Sequence, residues 1–283
     1  MVEIPGTVSQ ILWHFTGGPT WNEVEKRQNV APKSAADAYR ALNGILRSRE
    51  LRLGSFKEVV RVLIPEVRRR DPKTKKVNIE RDVMRTLKSC PVCCLADIPI
   101  MHLSYHAARY GKFAIGFHRD AAIRAGFNPV FYTLHHSSVI RSIRTGFTKM
   151  RTVDLEAARA LLADIQQEVE SKDVEYEVGY YASQLGGEFD DIHRAVMTTK
   201  ASIEQFLAFI KTFETDEFQT VYCEREWRAV TPFTFSYEDV AMIVVPLKVG
   251  ENVYFERFVS SQAKRYKLPR SIPIVPWETL LES

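Results

Sequence analysis

Tyr222-Cys223-Glu224-Arg225-Glu226-Trp227-Arg228 reads as one extended segment near the carboxyl end of a 283-residue chain. In a strand, Tyr222, Glu224, Glu226 and Arg228 share one face, and Cys223, Arg225 and Trp227 share the other. Two carboxylates on one side repel unless a cation, a wet cleft or a bound molecule lies between them. One reading is an exposed sheet face with Arg225 and Arg228 as ion partners. The other is a carboxylate pair kept for chemistry, stabilising positive charge or orienting a nucleophile. A second decisive stretch lies at the opposite end. Ile11-Leu12-Trp13-His14-Phe15-Thr16 is a short apolar run stopped by Gly17-Gly18-Pro19, a buried strand followed by a turn. His14 and Thr16 have the same strand parity. They are either satisfied core groups or polar groups at the edge of a cleft, suited to ribose or phosphate oxygens, and the Gly-Gly turn would let a ligand approach the backbone.

Between these segments the pattern alternates. Ser34 with Asp37 three residues on opens an Ala/Leu helix running to Leu46. Strands are expected at Val59–Ile64, Cys93–Ala96, Phe113–Phe117 and Val130–Tyr132, with short helices around Asp82–Leu87 and at Met101–Tyr110, the latter closed by Gly111. Longer helices are predicted at about Leu155–Val169 and Thr199–Phe213. The acidic, tyrosine-bearing stretch Glu175–Asp191 between them reads as a lid or a surface excursion. Strands return at Thr220–Val230, Ala241–Leu247, Val253–Phe258 and Ile272–Val275. Strands at both ends around a helical middle predict a single α+β domain over 1–283 with a helical insertion at about 150–215.

Composition narrows the function classes. Hydrophobic residues make up 45% of the chain, enough for a substantial core, and no apolar run approaches the roughly 18 residues that cross a bilayer. The amino terminus lacks a signal-peptide pattern, so a cytoplasmic location away from the membrane is expected. Three of the four cysteines, Cys90, Cys93 and Cys94, fall within five residues, a poor disulfide framework. Zinc is not expected there: no second CxxC exists, and Cys93 and Cys94 point to opposite sides of a strand even if His102 and His106 lie near. No P-loop, Rossmann, nucleophile-elbow or helical metalloprotease motif is present. The net charge is +4, but Arg68, Arg69, Arg70, Lys73, Lys75 and Lys76 cluster around Asp71-Pro72. That loop is either a solvated hairpin tip or a contact for nucleic-acid phosphates, and it has no aromatic residue for base stacking.

Several blocks resemble the abortive phage infection family called AbiGi, which has been labelled an antitoxin. They are Trp13-His14-Phe15-Thr16, Cys94-Leu95-Ala96-Asp97-Ile98-Pro99, His106, Tyr110 to Phe117, and Glu224-Arg225-Glu226-Trp227-Arg228, covering about residues 11–118 and 219–231. A more distant resemblance, through the His-Phe-Thr strand and the Glu-x-Glu, is to ADP-ribosyltransferases. It implies a split, curved β-sheet with flanking helices and NAD as cofactor. His14, with Thr16 beside it, would hold the adenosine ribose, Tyr105 or Tyr110 would stack on nicotinamide, Glu226 would serve the nicotinamide ribose, and Glu224 would position the acceptor. The acceptor would be a nucleic acid or a protein. The Ser-Thr-Ser strand of the arginine-directed transferases is not visible here. The alternative implied by the first resemblance is a catalytically silent antitoxin or interaction module that engages a cognate toxin or another defence-system protein.

Overall fold

The computed structural model describes residues 9–280 apart from 20, 23–26, 29–30, 55–56, 72, 152–159, 161–162, 165–166, 168–175, 218–220 and 222–223. The chain divides into two compact units. The first comprises 1–58, 90–132 and 208–283, and the second 59–89 and 133–207.

In chain order the elements that matter are β1 (Ile11–Phe15), α1 (Ala35–Ser48), β2 (Lys57–Arg70), β3 (Val77–Pro91), β4 (Cys93–Ala96), α2 (Leu103–Tyr110), β5 (Ala114–His118), α3 (Arg119–Arg124), β6 (Asn128–Pro129), α4 (Ser138–Arg151), α5 (Tyr176–Leu207), β7 (Ile210–Phe213), β8 (Glu226–Ala229), β9 (Val240–Val245) and β10 (Ile274–Pro276).

The first unit is organised by a seven-stranded sheet in the order β10-β9-β5-β1-β4-β8-β6. Only β9 and β10 run parallel, with Ile243 opposite Ile274; the other pairs are antiparallel. The mixed α+β class holds, but the expected split, curved sheet of the ADP-ribosyltransferase type does not. Seven strands form one continuous, open ladder with β10 and β6 as its edges.

Alternation along these strands sorts the core. Leu12, Cys93, Leu95, Ile115, Phe117, Ile243 and Val245 point to one face and pack with Ala38, Tyr39, Leu42 and Leu46 of α1. The i, i+4 spacing that predicted α1 is the stripe it buries. Its start is fixed by Ser34, whose Oγ accepts from the Asp37 amide at 3.1 Å. The other face carries Trp13, Ala96, Ala114 and Val244, packed with Leu103 and Trp277. Gly116 stands opposite Trp13 because an added Cβ would lie 2.6 Å from Ile11 Cγ2 and 3.0 Å from the Trp13 ring.

In the second unit α4 packs on α5, and β2 and β3 form a two-stranded ribbon. Several expectations change here. Asp82–Leu87 is strand, not helix, because cross-strand pairing in a long hairpin outweighs the helix preference of Arg, Met and Leu. Glu175–Asp191 is, in its described part, the start of the 32-residue α5, not a separate excursion. The helix expected at Thr199–Phe213 stops at Leu207, and Ile210–Phe213 is β7. Val253–Phe258 is not one strand, since a helical turn begins at Phe255. The helix expected at Leu155–Val169 lies mostly outside the described residues. No described helix is long and apolar enough to cross a membrane.

Gly17 and Gly44 test the packing in opposite directions. A Cβ on Gly17 would sit 2.7 Å from the Tyr110 carbonyl oxygen, whereas one on Gly44, within α1, meets nothing within 4 Å. Gly17→Ala is expected to destabilise the fold by about 1–3 kcal/mol through backbone overpacking. Gly44→Ala should be neutral or stabilise by up to about 1 kcal/mol through helix propensity. Urea unfolding midpoints of the two variants check both signs.

Candidate functional site

Strand register decides which side chains meet. Ala96 pairs with Trp13 on one side and with Glu226 on the other, so Trp13, Ala96 and Glu226 share a face. Arg228 lies opposite Cys94 and joins them. This face floors a cavity of about 390 Å³ with walls from Phe15, Gly18, Glu58, His106, Arg109, Tyr110, Lys211 and Glu224.

Three carboxylates and three cations line this cavity, and they are spent on one another. Arg228 is 0% exposed. Its Nη2 reaches Glu226 Oε2 at 2.7 Å and Glu58 Oε2 at 2.5 Å, and its Nη1 donates to the Ala208 carbonyl at 2.7 Å. Lys211 Nζ bonds Glu224 Oε2 and lies 3.3 Å from Glu226 Oε2. Arg109 Nη1 holds Glu224 Oε1 at 2.6 Å. The Glu226 amide donates to the Tyr132 hydroxyl at 2.8 Å.

Burial alone would raise the Glu226 carboxyl pKa, but Arg228 and Lys211 outweigh it and hold it well below the usual carboxylate range. Burial likewise pulls Lys211 down, yet Glu226, Glu224 and Glu58 keep its ammonium protonated far into alkali. His106, only 4% exposed, is pulled down to about 4 by burial and by the neighbouring Arg109 and Lys211, so it is neutral at pH 7. Its Nδ1 has no hydrogen-bond partner. Burial pushes the Cys93 thiol up to about 12 and the Cys94 thiol well above its ordinary value, so neither is a ready nucleophile.

The expected site residues separate. Glu226 and Tyr110 face the cavity, and so does Glu224, by a route the sequence pattern did not contain. The strand begins only at Glu226, and Arg225, with φ at 42°, turns the chain so that Glu224 comes back to the same side. Arg225 goes to the buried Asp97 at 3.2 Å, which also binds Arg119. His14 contributes atoms to the cavity wall, but it stands one residue from Trp13, and strand parity puts its ring on the α1 side. There it lines a second hollow with Ala41, Gly44 and Leu51, and its Nδ1 donates to the Cys94 carbonyl at 3.1 Å. Burial lowers its pKa.

Thr16 lies beyond the end of β1, buried, with its hydroxyl donated to the Ala38 carbonyl at 2.8 Å. Tyr105 is 56% exposed and outside the cavity. The Gly17-Gly18 turn does admit a close approach, but it is made by the chain itself: Gly17 lies against the Tyr110 carbonyl and Gly18 beneath the Tyr110 ring. Arg68, Arg69, Arg70, Lys73, Lys75 and Lys76 lie at the far end of the β2–β3 hairpin, in the second unit. Among the described residues no group of three His, Cys, Asp or Glu side chains is placed to hold a metal ion.

Lys211, Arg109 and Glu58 were missed by sequence reading. Lys211 was assigned to a helix end, and the other two are charged residues in otherwise ordinary amphipathic elements. The sequence pattern pairs Arg228 with a glutamate only on an exposed sheet face, whereas Arg228 is fully buried.

An internally neutral ion cluster under a cavity, on an open α+β sheet, is the frame in which the comparisons fall into the class of phage-defence proteins. A family profile described as "Putative abortive phage resistance protein AbiGi, antitoxin" matches residues 57–278, and the chain belongs to this family. The abortive phage resistance protein AbiGi of Lactococcus lactis subsp. cremoris is 35% identical over 63 residues, 20% of this chain and 25% of the relative. The chain thus matches about a quarter of that curated relative's length. No solved structure matches the chain.

The NAD-dependent ADP-ribosyltransferase reading is overturned on these grounds. The family is described as an antitoxin, and the resemblance that suggested transfer needs His14 and Glu226 in one cleft. His14 and Glu226 both border the cavity, but strand parity directs the His14 ring toward α1, and Glu226 is already bound to Arg228 and Lys211.

The cluster makes two predictions about stability. Arg228→Met leaves Glu226 and Glu58 buried without their main cation and should cost about 3–5 kcal/mol, measured by chemical denaturation. His106 is neutral in the fold and has an ordinary pKa of about 6.5 when unfolded, so the unfolded chain takes up protons first. Stability is therefore fully present above about pH 6.5 and falls as pH drops toward about 4. His14, lowered in the same direction, contributes to the same loss. In His106→Phe the drop in melting temperature between pH 7 and pH 5 should be smaller than in the wild type.

Proposed function

We propose that the chain is a non-catalytic antitoxin-type component of an abortive phage infection system, acting by binding a cognate toxin protein. The observation that carries this reading is the family match across residues 57–278. The site geometry supports it: each charge at the cavity is committed to another charge of the same chain, an arrangement suited to holding segments together. Such a network gains nothing from becoming exposed to a reacting group, since breaking any one pair strands its partner in a buried place.

A protein partner needs an accessible anchor instead. Ile100, Met101 and Tyr105 are exposed on the short helical segment that leads into and begins α2, with Met101 73% exposed. Exposed apolar and aromatic side chains grouped in this way gain most from being covered. Tyr105, one of the two tyrosines that the distant resemblance would set against nicotinamide, fits this role better than one in the cavity.

The test is growth and phage challenge of cells expressing the chain and the protein encoded beside its gene, separately and together. The expected result is that the neighbour arrests growth alone and is tolerated when the chain is present. Met101→Asp combined with Tyr105→Ser should lose that protection while keeping the wild-type melting temperature. Equal growth arrest with and without the wild-type chain would overturn the proposal.

A further inference from the structure

The charge of this chain is unevenly distributed. Residues 59–89, the part of the β2–β3 hairpin in the second unit, hold ten Lys and Arg against four Asp and Glu, an excess of six positive charges. The whole chain is +4, so everything outside the hairpin is net −2. The basic character of the protein therefore belongs to one structural element.

That element changes character along its length. At its base Val60, Val62, Leu87 and Ser89 are buried. From Pro65 through Arg70 and from Val77 through Asp82 nearly every side chain is exposed. Six residues of strand at about 3.3 Å each make an arm of roughly 20 Å. Its turn is built, not loose: Asp71 Oδ1 accepts from the Lys73 and Thr74 amides at 2.8 and 3.1 Å, the Asp71 amide donates to the Lys76 carbonyl at 2.9 Å, and Lys75 takes a φ of 59°. These amide bonds lower the Asp71 pKa and fix where Lys73, Lys75 and Lys76 project.

The two faces of the arm differ. Arg69 Nε lies 3.7 Å from Glu80 Oε1, so these two share a face. By alternation Arg68 and Arg70 share the other with Val77, Ile79 and Arg81. Val77 and Ile79 are both more than half exposed. Arginines interleaved with small aliphatic side chains offer forked donors for base edges and apolar contact for thymine methyls. The lysines at the tip offer point charges for phosphates.

We propose that the exposed arm of the β2–β3 hairpin is a DNA-binding ribbon that docks on double-stranded B-form DNA. A two-stranded ribbon fits the major groove, about 12 Å wide, whereas the deep, narrow major groove of an RNA duplex excludes it. The arm carries no aromatic residue between 59 and 89, so it lacks the stacking platform a single strand requires. Its tip, Asp71 to Lys76, has no apolar side chain except Pro72 to enter a lipid surface. The inference does not depend on the antitoxin reading, because it rests on the charge and geometry of this hairpin.

The test measures fluorescence anisotropy of the full chain with a labelled mixed-sequence DNA duplex, the matching single strand, an RNA duplex, and phosphatidylserine vesicles, across a salt series. One variant carries Arg68→Gln, Lys73→Gln, Lys75→Gln and Lys76→Gln. A control variant carries Lys248→Gln, Lys264→Gln, Arg265→Gln and Arg270→Gln, the same charge change at exposed positions elsewhere. The expected result is tightest binding to the DNA duplex. The hairpin variant should bind it at least roughly tenfold more weakly, and its slope of log affinity against log salt should be shallower by about three to four, near 0.9 for each phosphate it no longer neutralises. The control should keep the wild-type slope. In the wild-type chain, bound DNA should also protect Lys73, Lys75 and Lys76 from an amine-reactive label, a readout that needs no variant. Equal binding by hairpin variant and wild type, absence of protection, or preference for single strand, RNA or vesicles would overturn the proposal.

Discussion

The guanidinium of Arg228 sets the terms for the first unit. A cation with no solvent access cannot be left unpaired, because the cost of taking it from water far exceeds what any neighbouring apolar contact returns. Glu226, two residues earlier on the same strand face, supplies one counter-charge, and Glu58 supplies a second from the start of β2. The Ala208 carbonyl accepts a further N–H and fixes the entry to β7. With two carboxylates at one guanidinium, Glu226 needs another cation, and Lys211 on β7 provides it. Lys211 in turn draws in Glu224, and Glu224 draws in Arg109 of α2. Four segments far apart in sequence are thus placed by successive neutralisation of one buried charge. Hydrophobic packing by Leu12, Phe117 and their neighbours stabilises the sheet more, but it specifies less, since apolar contacts tolerate sliding and paired charges do not.

What the sequence made legible follows from the range of the interactions involved. Helix α1 was readable because its cap and its apolar stripe are both local: Ser34 and Asp37 lie three apart, and Ala38, Leu42 and Leu46 repeat every four. Strands β1, β4 and β5 were readable as compact apolar runs. The hairpin was half seen. Val59–Ile64 announced β2, but the polar β3 owes its conformation to a partner strand and carries no periodic apolar signal of its own. Lys211 was placed at a helix end because Ala-rich and Leu-rich helix sequence runs up to it. The change to strand after Leu207 coincides with the Ala208 carbonyl bonding Arg228, a contact made across 20 residues.

The Glu-x-Glu and His-Phe-Thr blocks show how strand register, and not strand order alone, decides which side chains meet. The strands bearing them do come together, separated only by β4, as the resemblance implied. Register then separates the side chains. A shift of one position along a strand sends a side chain to the opposite face, and His14 stands one position from Trp13, the residue in step with Glu226. Glu224 shows the reverse case. Strand parity predicted that it would accompany Glu226, but the residue between them leaves the extended conformation, and the two carboxylates meet through Lys211.

The open sheet has two free edges, and both are short and end in proline. Asn128–Pro129 forms one, and Ile274–Pro276 forms the other. Proline has no amide proton to give to an incoming strand, and two or three residues offer too few carbonyls and amides to template one. The sheet thereby resists growth by a further chain without being closed into a barrel, which guards a seven-stranded open sheet against edge-to-edge aggregation. It also limits how this sheet recognises anything else: its described edges give a partner only two or three residues of backbone, so recognition there falls mainly to side chains and surface shape.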